Sequence, residues 1–167
     1  SPHPDDEVLG AGGILLKAKK KGFKTKVLTI STNFPEPITK KRLEIWNKYH
    51  CNLKELENKC HLARPFIPNN CKHNAHMYYL VLNSKEIRGE FINYMKTNGI
   101  KCTFHYQPLH DSPWMQKNYQ DFDIYNNNNF VVTNKVADCI VRLPLWIGME
   151  KHQDYIIDKI NLFFRKN

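Results

Sequence analysis

The chain has 167 residues, 41% of them hydrophobic and 12% aromatic, which suffices for one domain with or without an appendage and excludes two complete enzymes and wholesale disorder. Its formal charge of +9 suits an acidic ligand, yet Lys is spread along the chain without forming a basic face. That argues against nucleic acid and leaves a negatively charged small substrate, such as a nucleotide-linked sugar. The five cysteines, Cys51, Cys60, Cys71, Cys102 and Cys139, form no Cys-x-x-Cys pair, so neither a disulfide framework nor a zinc knuckle is expected and a reducing cytoplasm is the natural setting. No apolar run approaches the ~18 residues of a membrane span.

The chain opens in mid-motif with Ser1, so further residues are expected upstream. Pro2-His3-Pro4-Asp5-Asp6-Glu7 leads into Gly10-Ala11-Gly12-Gly13 and a helical pattern carrying Ile14, Leu15, Leu16 and Ala18, stopped by Gly22. Residues 26–31 read as a short buried strand. Loop, helix and strand in that order make one unit of a parallel α/β sheet. An imidazole and two adjacent carboxylates can supply metal ligands and a general base together, as metal-assisted hydrolysis requires. This stretch resembles the His-Pro-Asp-Asp-Glu loop of the PIG-L/LmbE-like zinc-dependent N-acetyl-sugar deacetylases. The resemblance implies zinc held by His3 and Asp6, with Asp5 activating water. A catalytic zinc site usually has three protein ligands, and the third is not identified, because His105 and His110 stand in a different context.

Asn33-Phe34-Pro35-Glu36-Pro37 reads as a break, since proline lacks an N–H and opposes helix. Over residues 38–59, Leu43, Trp46, Tyr49, Leu53 and Leu56 recur at three- and four-residue spacing, the packing face of one long helix. Residues 61–70 are an extended connection. Residues 75–82 read as a strand, with His76 inside it as a satisfied core residue. Ser84 caps a helix over 85–98 that turns Ile87, Phe91, Tyr94 and Met95 inward, and Gly99 ends it. Residues 100–104 and 141–143 are further strands. Residues 114–129 read as a loop with a low-complexity Asn126-Asn127-Asn128-Asn129 run. Thr133 caps a short helix over 134–139, and a last helix over 150–165 buries Ile156, Ile160 and Phe163. Together these predict an α+β fold, a small mainly antiparallel sheet covered by helices, over residues 38–167. A helix-strand appendage occupies residues 1–34.

Four islands carry a second resemblance: Arg42-Leu43 through Tyr49, Asn74-Ala75-His76-Met77-Tyr78-Tyr79, Gly99 through His105-Tyr106-Gln107-Pro108-Leu109-His110, and Arg142-Leu143-Pro144-Leu145. In this order they resemble the C-terminal domain of the fold-type I, pyridoxal-phosphate (PLP)-dependent sugar aminotransferases of the DegT/DnrJ kind, nearest to the dTDP-4-amino-4,6-dideoxygalactose transaminases. The resemblance implies a nucleotide-sugar substrate contacted by His105, Tyr106 and His110 at the active-site mouth. On residue chemistry alone, two imidazoles and a phenol beyond a strand end could hydrogen-bond a sugar hydroxyl or a diphosphate, or the histidines could merely fix the turn. PLP is implied by resemblance only, because no lysine here stands in the context of the Schiff-base lysine, which belongs to the family's large domain. The expected reading is a domain not competent alone, acting as a homodimer or with a chain that supplies the large domain. Zinc-dependent deacetylation and a packing or dimerisation module are the alternatives.

Overall fold

The computed structural model describes residues 21–22, 36–118 and 130–166. The chain divides between Glu36 and Pro37, and the sheet and core belong to the second unit. The residues of the helix-strand appendage, apart from Lys21 and Gly22, lie outside the described residues, as do Asn126 to Asn129.

Helix α1, Glu36–Asn52, starts within the stretch read as a break. Pro37 sits in its first turn, where the missing N–H would have had no partner in any case and the fixed φ favours helix. The single long helix is in fact two. Leu53 leaves helical geometry at φ −99° and ψ 5° before α2, Lys54–Asn58. Leu53 and Leu56 nevertheless stay buried beside Trp46 and Tyr49, so the apolar stripe survives the interruption. A Schellman closure ends α2: Cys60 N–H donates to Glu57 O and His61 N–H to Leu56 O, with Cys60 at φ 59° in the position that favours glycine.

Four strands form one sheet in the order β1-β2-β4-β3. They are β1, Leu62–Ala63; β2, Tyr78–Leu82; β3, Thr103–Phe104; and β4, Ile140–Leu143. All neighbours are antiparallel. Strand β1, read as plain connection, is too short to show a period and exists only because Leu62 pairs Leu82. Strand β2 starts three residues later than its apolar run. The cause is Ala75, buried and held at φ 52°, a conformation that no strand continues.

Helix α3, Lys85–Thr97, is capped as its sequence implies: Ser84 Oγ accepts from Ile87 N–H at 3.3 Å, and Gly99 turns away at φ 74°. The segment after Pro108 is more ordered than a loop. It forms a 3-10 turn, Leu109–Asp111, and α4, Pro113–Asn118. Helix α5, Val131–Cys139, begins ahead of Thr133, with Phe130 at its N-cap and no side-chain cap. Helix α6 is Glu150–Lys166.

The core lies on one side of the sheet. Tyr78, Leu80, Leu82, Val141 and Leu143 pack with Tyr49 and Leu53 of α1, Phe91 and Met95 of α3, and Ile156, Ile160 and Phe163 of α6. Two polar bonds fasten its edges. Gln153, buried in α6, donates to Ile45 O at 2.6 Å, and Tyr49 OH donates to Pro144 O at 3.1 Å, holding the Arg142-Leu143-Pro144-Leu145 island to α1. All five cysteines are free. Burial pushes the Cys102 thiol up to about 12, so it acts as a small apolar core residue.

Candidate functional site: an open sheet face and the turn beyond it

Side chains alternate across a strand, so the register that buries Tyr78, Leu80, Val141 and Leu143 sends their neighbours to the other face. Tyr79 pairs Arg142, and Arg142 pairs Thr103 on its other side. This row crosses three strands, and all three residues are half-buried. His105 lies two residues beyond Thr103, near enough for the Arg142 charge to act on it. Burial first, and then that charge, hold the His105 imidazole below its ordinary pKa, which makes it neutral near pH 7. Its Nδ1 is buried with no hydrogen-bond partner. The Tyr106 ring lies 5.0 Å from that of His105 and is 79% exposed.

His110 is arranged differently. Its Nε2 is 2.6 Å from Asn134 Oδ1, its ring stacks on Phe130 at 4.0 Å and 13°, and Asp111 Oδ1 is 3.6 Å away. These contacts tie the turn after β3 to the start of α5, and Gln107 Nε2 closes it by donating to Asp111 O at 2.9 Å. The structure thus sets His105 against Tyr106 and within range of the Arg142 charge, and anchors His110 to a helix. His76 is not the core residue that its apolar neighbours suggest. It is exposed ahead of β2, with its N–H on Asn74 Oδ1 and its carbonyl taken by Arg42. Arg142 is the residue that sequence reasoning missed as a site member. It stood in a recognised island, but its meeting with His105 depends on strand register.

A second concavity of about 320 Å³ is lined by residues that include Trp46, His50, Glu57, Arg64, Phe66 and His73. Trp46 stacks on His50 at 4.5 Å and meets His73 at 4.4 Å. Arg64 is fully engaged: it binds both oxygens of Glu57, through its backbone N–H and its guanidinium, and also reaches the His50 carbonyl. Burial lowers the pKa of both imidazoles, with Arg64 adding to the effect at His50.

His3, Asp5 and Asp6 lie outside the described residues. Among the described residues no group of three His, Cys, Asp or Glu could hold a metal, and no helix is long and apolar enough to cross a membrane. The described lysines are exposed, or half-buried and engaged, as Lys48 is with Asp154 and Lys159 over the Tyr155 ring. None sits in the enclosed setting that a Schiff-base lysine requires. The described residues therefore do not fit covalent attachment of PLP, and no step is derived through it.

The fold and the site define a class. The DegT/DnrJ/EryC1/StrS aminotransferase family matches residues 25–161, and the chain belongs to that family. Its relatives follow. An uncharacterised protein of Methanocaldococcus jannaschii, MJ1066, is 30% identical over 129 residues, covering 75% of this chain and 31% of that protein. The aminotransferase TlmJ from Streptoalloteichus hindustanus superposes with a TM-score of 0.64 at 17% identity, over 78% of this chain and 32% of its own. NtdA from Bacillus subtilis, solved with bound cofactor PMP, gives 0.64 at 18% identity, over 85% and 35%. The chain thus spans about a third of the length of these proteins. The four-stranded antiparallel sheet with its helices has the fold of a domain of these aminotransferases.

Proposed function

We propose that this chain is the C-terminal, substrate-facing domain of a PLP-dependent nucleotide-sugar aminotransferase, with the Schiff-base lysine supplied by a large domain. The substrate is a nucleotide-linked 4-amino-4,6-dideoxy sugar of the dTDP-galactose type. The observation that carries this reading is the pairing of His105 with Tyr106 at the end of the sheet, in a chain of this family. With Nδ1 buried, the neutral His105 ring meets a ligand through Nε2, whose N–H can donate to a sugar hydroxyl. The exposed Tyr106 phenol offers a flat apolar face and a hydroxyl to the same ligand. His110, with Nε2 occupied by Asn134, orients the turn and presents its remaining nitrogen. A net positive chain favours the approach of a diphosphate. The domain would act on a site completed by a second copy or by the chain that carries the large domain.

Calorimetric titration with dTDP-4-amino-4,6-dideoxygalactose tests the proposal. Saturable binding that weakens by about 5- to 30-fold in His105→Ala and in Tyr106→Ala is expected, since losing one hydrogen-bonding or stacking partner costs on the order of 1–2 kcal/mol. Binding unaltered by both substitutions, or no binding in the presence of a PLP-loaded large domain, would overturn it.

A further inference from the structure

Four arginines are half-buried: Arg42, Arg64, Arg88 and Arg142. Three of them give their donors to the protein. Arg42 binds the carbonyls of Ala75 and His76, Arg64 binds Glu57, and Arg88 donates through Nη1 to Ala137 O at 2.8 Å, although its buried Nε has no partner. The Arg142 side chain makes no hydrogen bond or ion pair among the described residues, although it sits on a central strand with a neighbour strand on each side. A guanidinium is always charged, carries five donors in a planar fork and is costly to bury in part without an acceptor. Among the described residues no carboxylate pairs with it. Tyr79 and Thr103 flank it in register, His105 is the next group out, and the acids of the adjoining elements are engaged, Asp138 with Lys85 and Asp111 beside His110.

His105 supplies the second half of the argument. A proton on its buried, partnerless Nδ1 would strand a donor, which is costlier than stranding an acceptor that has an alternative tautomer. The proton therefore belongs on Nε2, and the ring becomes a donor within range of the Arg142 charge. We infer that Arg142 and His105, with the Thr103 hydroxyl, form an oxyanion site on the open face of the sheet, taking a carboxylate or a phosphate. It rests on the aminotransferase reading only for the source of the anion: the carboxylate of an amino donor, or the diphosphate of the nucleotide sugar. Planar bidentate recognition by Arg suits both.

The test follows the His105 ring by NMR of the histidine-labelled full chain at constant ionic strength, with chloride as the reference anion. Inorganic phosphate, glutamate and dTDP are titrated separately, each to about 50 mM, and the constant ionic strength holds simple screening unchanged throughout. A saturable shift of the His105 resonances is expected, with affinity reduced at least about tenfold in Arg142→Gln. Arg142→Lys keeps the charge but loses the fork, so it should bind more weakly than the natural chain yet better than the Gln variant. Lys151→Gln, a change of equal charge at an exposed position of α6, should bind as the natural chain does. Glutamate binding more tightly than dTDP assigns the site to the amino donor; the reverse order assigns it to the diphosphate. No saturable shift with any of the three, or equal shifts in Arg142→Gln and Lys151→Gln, overturns the site. Should Arg142→Gln fail to fold, the Lys variant decides, and affinity equal to that of the natural chain would refute the fork. Anion binding without nucleotide-sugar binding would keep the site and dismiss the aminotransferase reading. Nucleotide-sugar binding that is indifferent to Arg142 would do the opposite.

Discussion

The two faces of one sheet carry opposite assignments, although they are built from alternate residues of the same strands. On the inner face Tyr78, Leu80 and Val141 are wholly buried among three helices. On the outer face Tyr79, Arg142 and Thr103 lie in the same register, one residue away, and are half-exposed and polar. The inner face stabilises the domain by removing apolar area from water. The outer face contributes little to stability and keeps a cation with no partner among the described residues and an orphaned imidazole nitrogen, a state that a ligand would relieve. A one-residue register slip would exchange the two roles.

The comparison breaks most visibly at Leu80. Leu80→Ala should lose roughly 2–5 kcal/mol, the usual cost of a large-to-small change in a packed core, while Tyr79→Ala should lose about 1 kcal/mol or less. Urea denaturation midpoints of the two variants give the answer, and equal losses would refute the division of labour. Arginine sharpens the same contrast. Arg42→Gln gives up charged hydrogen bonds to the Ala75 and His76 carbonyls and should cost about 1.5–3 kcal/mol. Arg142→Gln, whose side chain has no partner among the described residues, should fall within about 0.5 kcal/mol of the natural chain. A large loss at Arg142 would mean that it serves the fold rather than a ligand.

Smaller effects follow at the edges. Removing the Ser84 cap from α3, a helix of the inner face, should cost about 1 kcal/mol by thermal or urea unfolding. On the outer face, His105 has a folded-state pKa depressed by burial and by Arg142, as burial also does for His50 and His73 in the Trp46 cavity. A depressed base binds fewer protons when folded than when unfolded. Its contribution is therefore complete above the ordinary histidine value of about 6.5 and is lost as pH falls from there through the folded pKa. Stability should decline on the acid side of that value. In Arg142→Gln the His105 titration followed by NMR should move toward the ordinary value, and an unmoved titration would place the two groups too far apart to share a ligand.

Much of the scaffold was legible from single residues. The Tyr49, Leu53 and Leu56 stripe, Ser84 as cap, Gly99 as stop and the Ile156, Ile160 and Phe163 face of the last helix all express local periods or local bonds, which the chain carries wherever it folds. The misreadings share a different cause. Ala75 breaks the strand early because its left-handed turn is held by Arg42 from a helix 33 residues away. His76 is consequently exposed rather than core, and Pro37 starts a helix rather than preventing one.

By itself the sequence determined the family, the α+β class and the candidate His105, Tyr106 and His110, because motif order, hydrophobic period and turn chemistry are properties of neighbours along the chain. Only the tertiary structure decided which of those side chains share a face. Strand register brought Arg142 to His105 across β4 and β3, and helix packing drew His110 away to Asn134 and Phe130. Pairing between distant segments is set by which face the core claims. The sequence carries that choice only as an alternation, which fixes the spacing of side chains but not their partners.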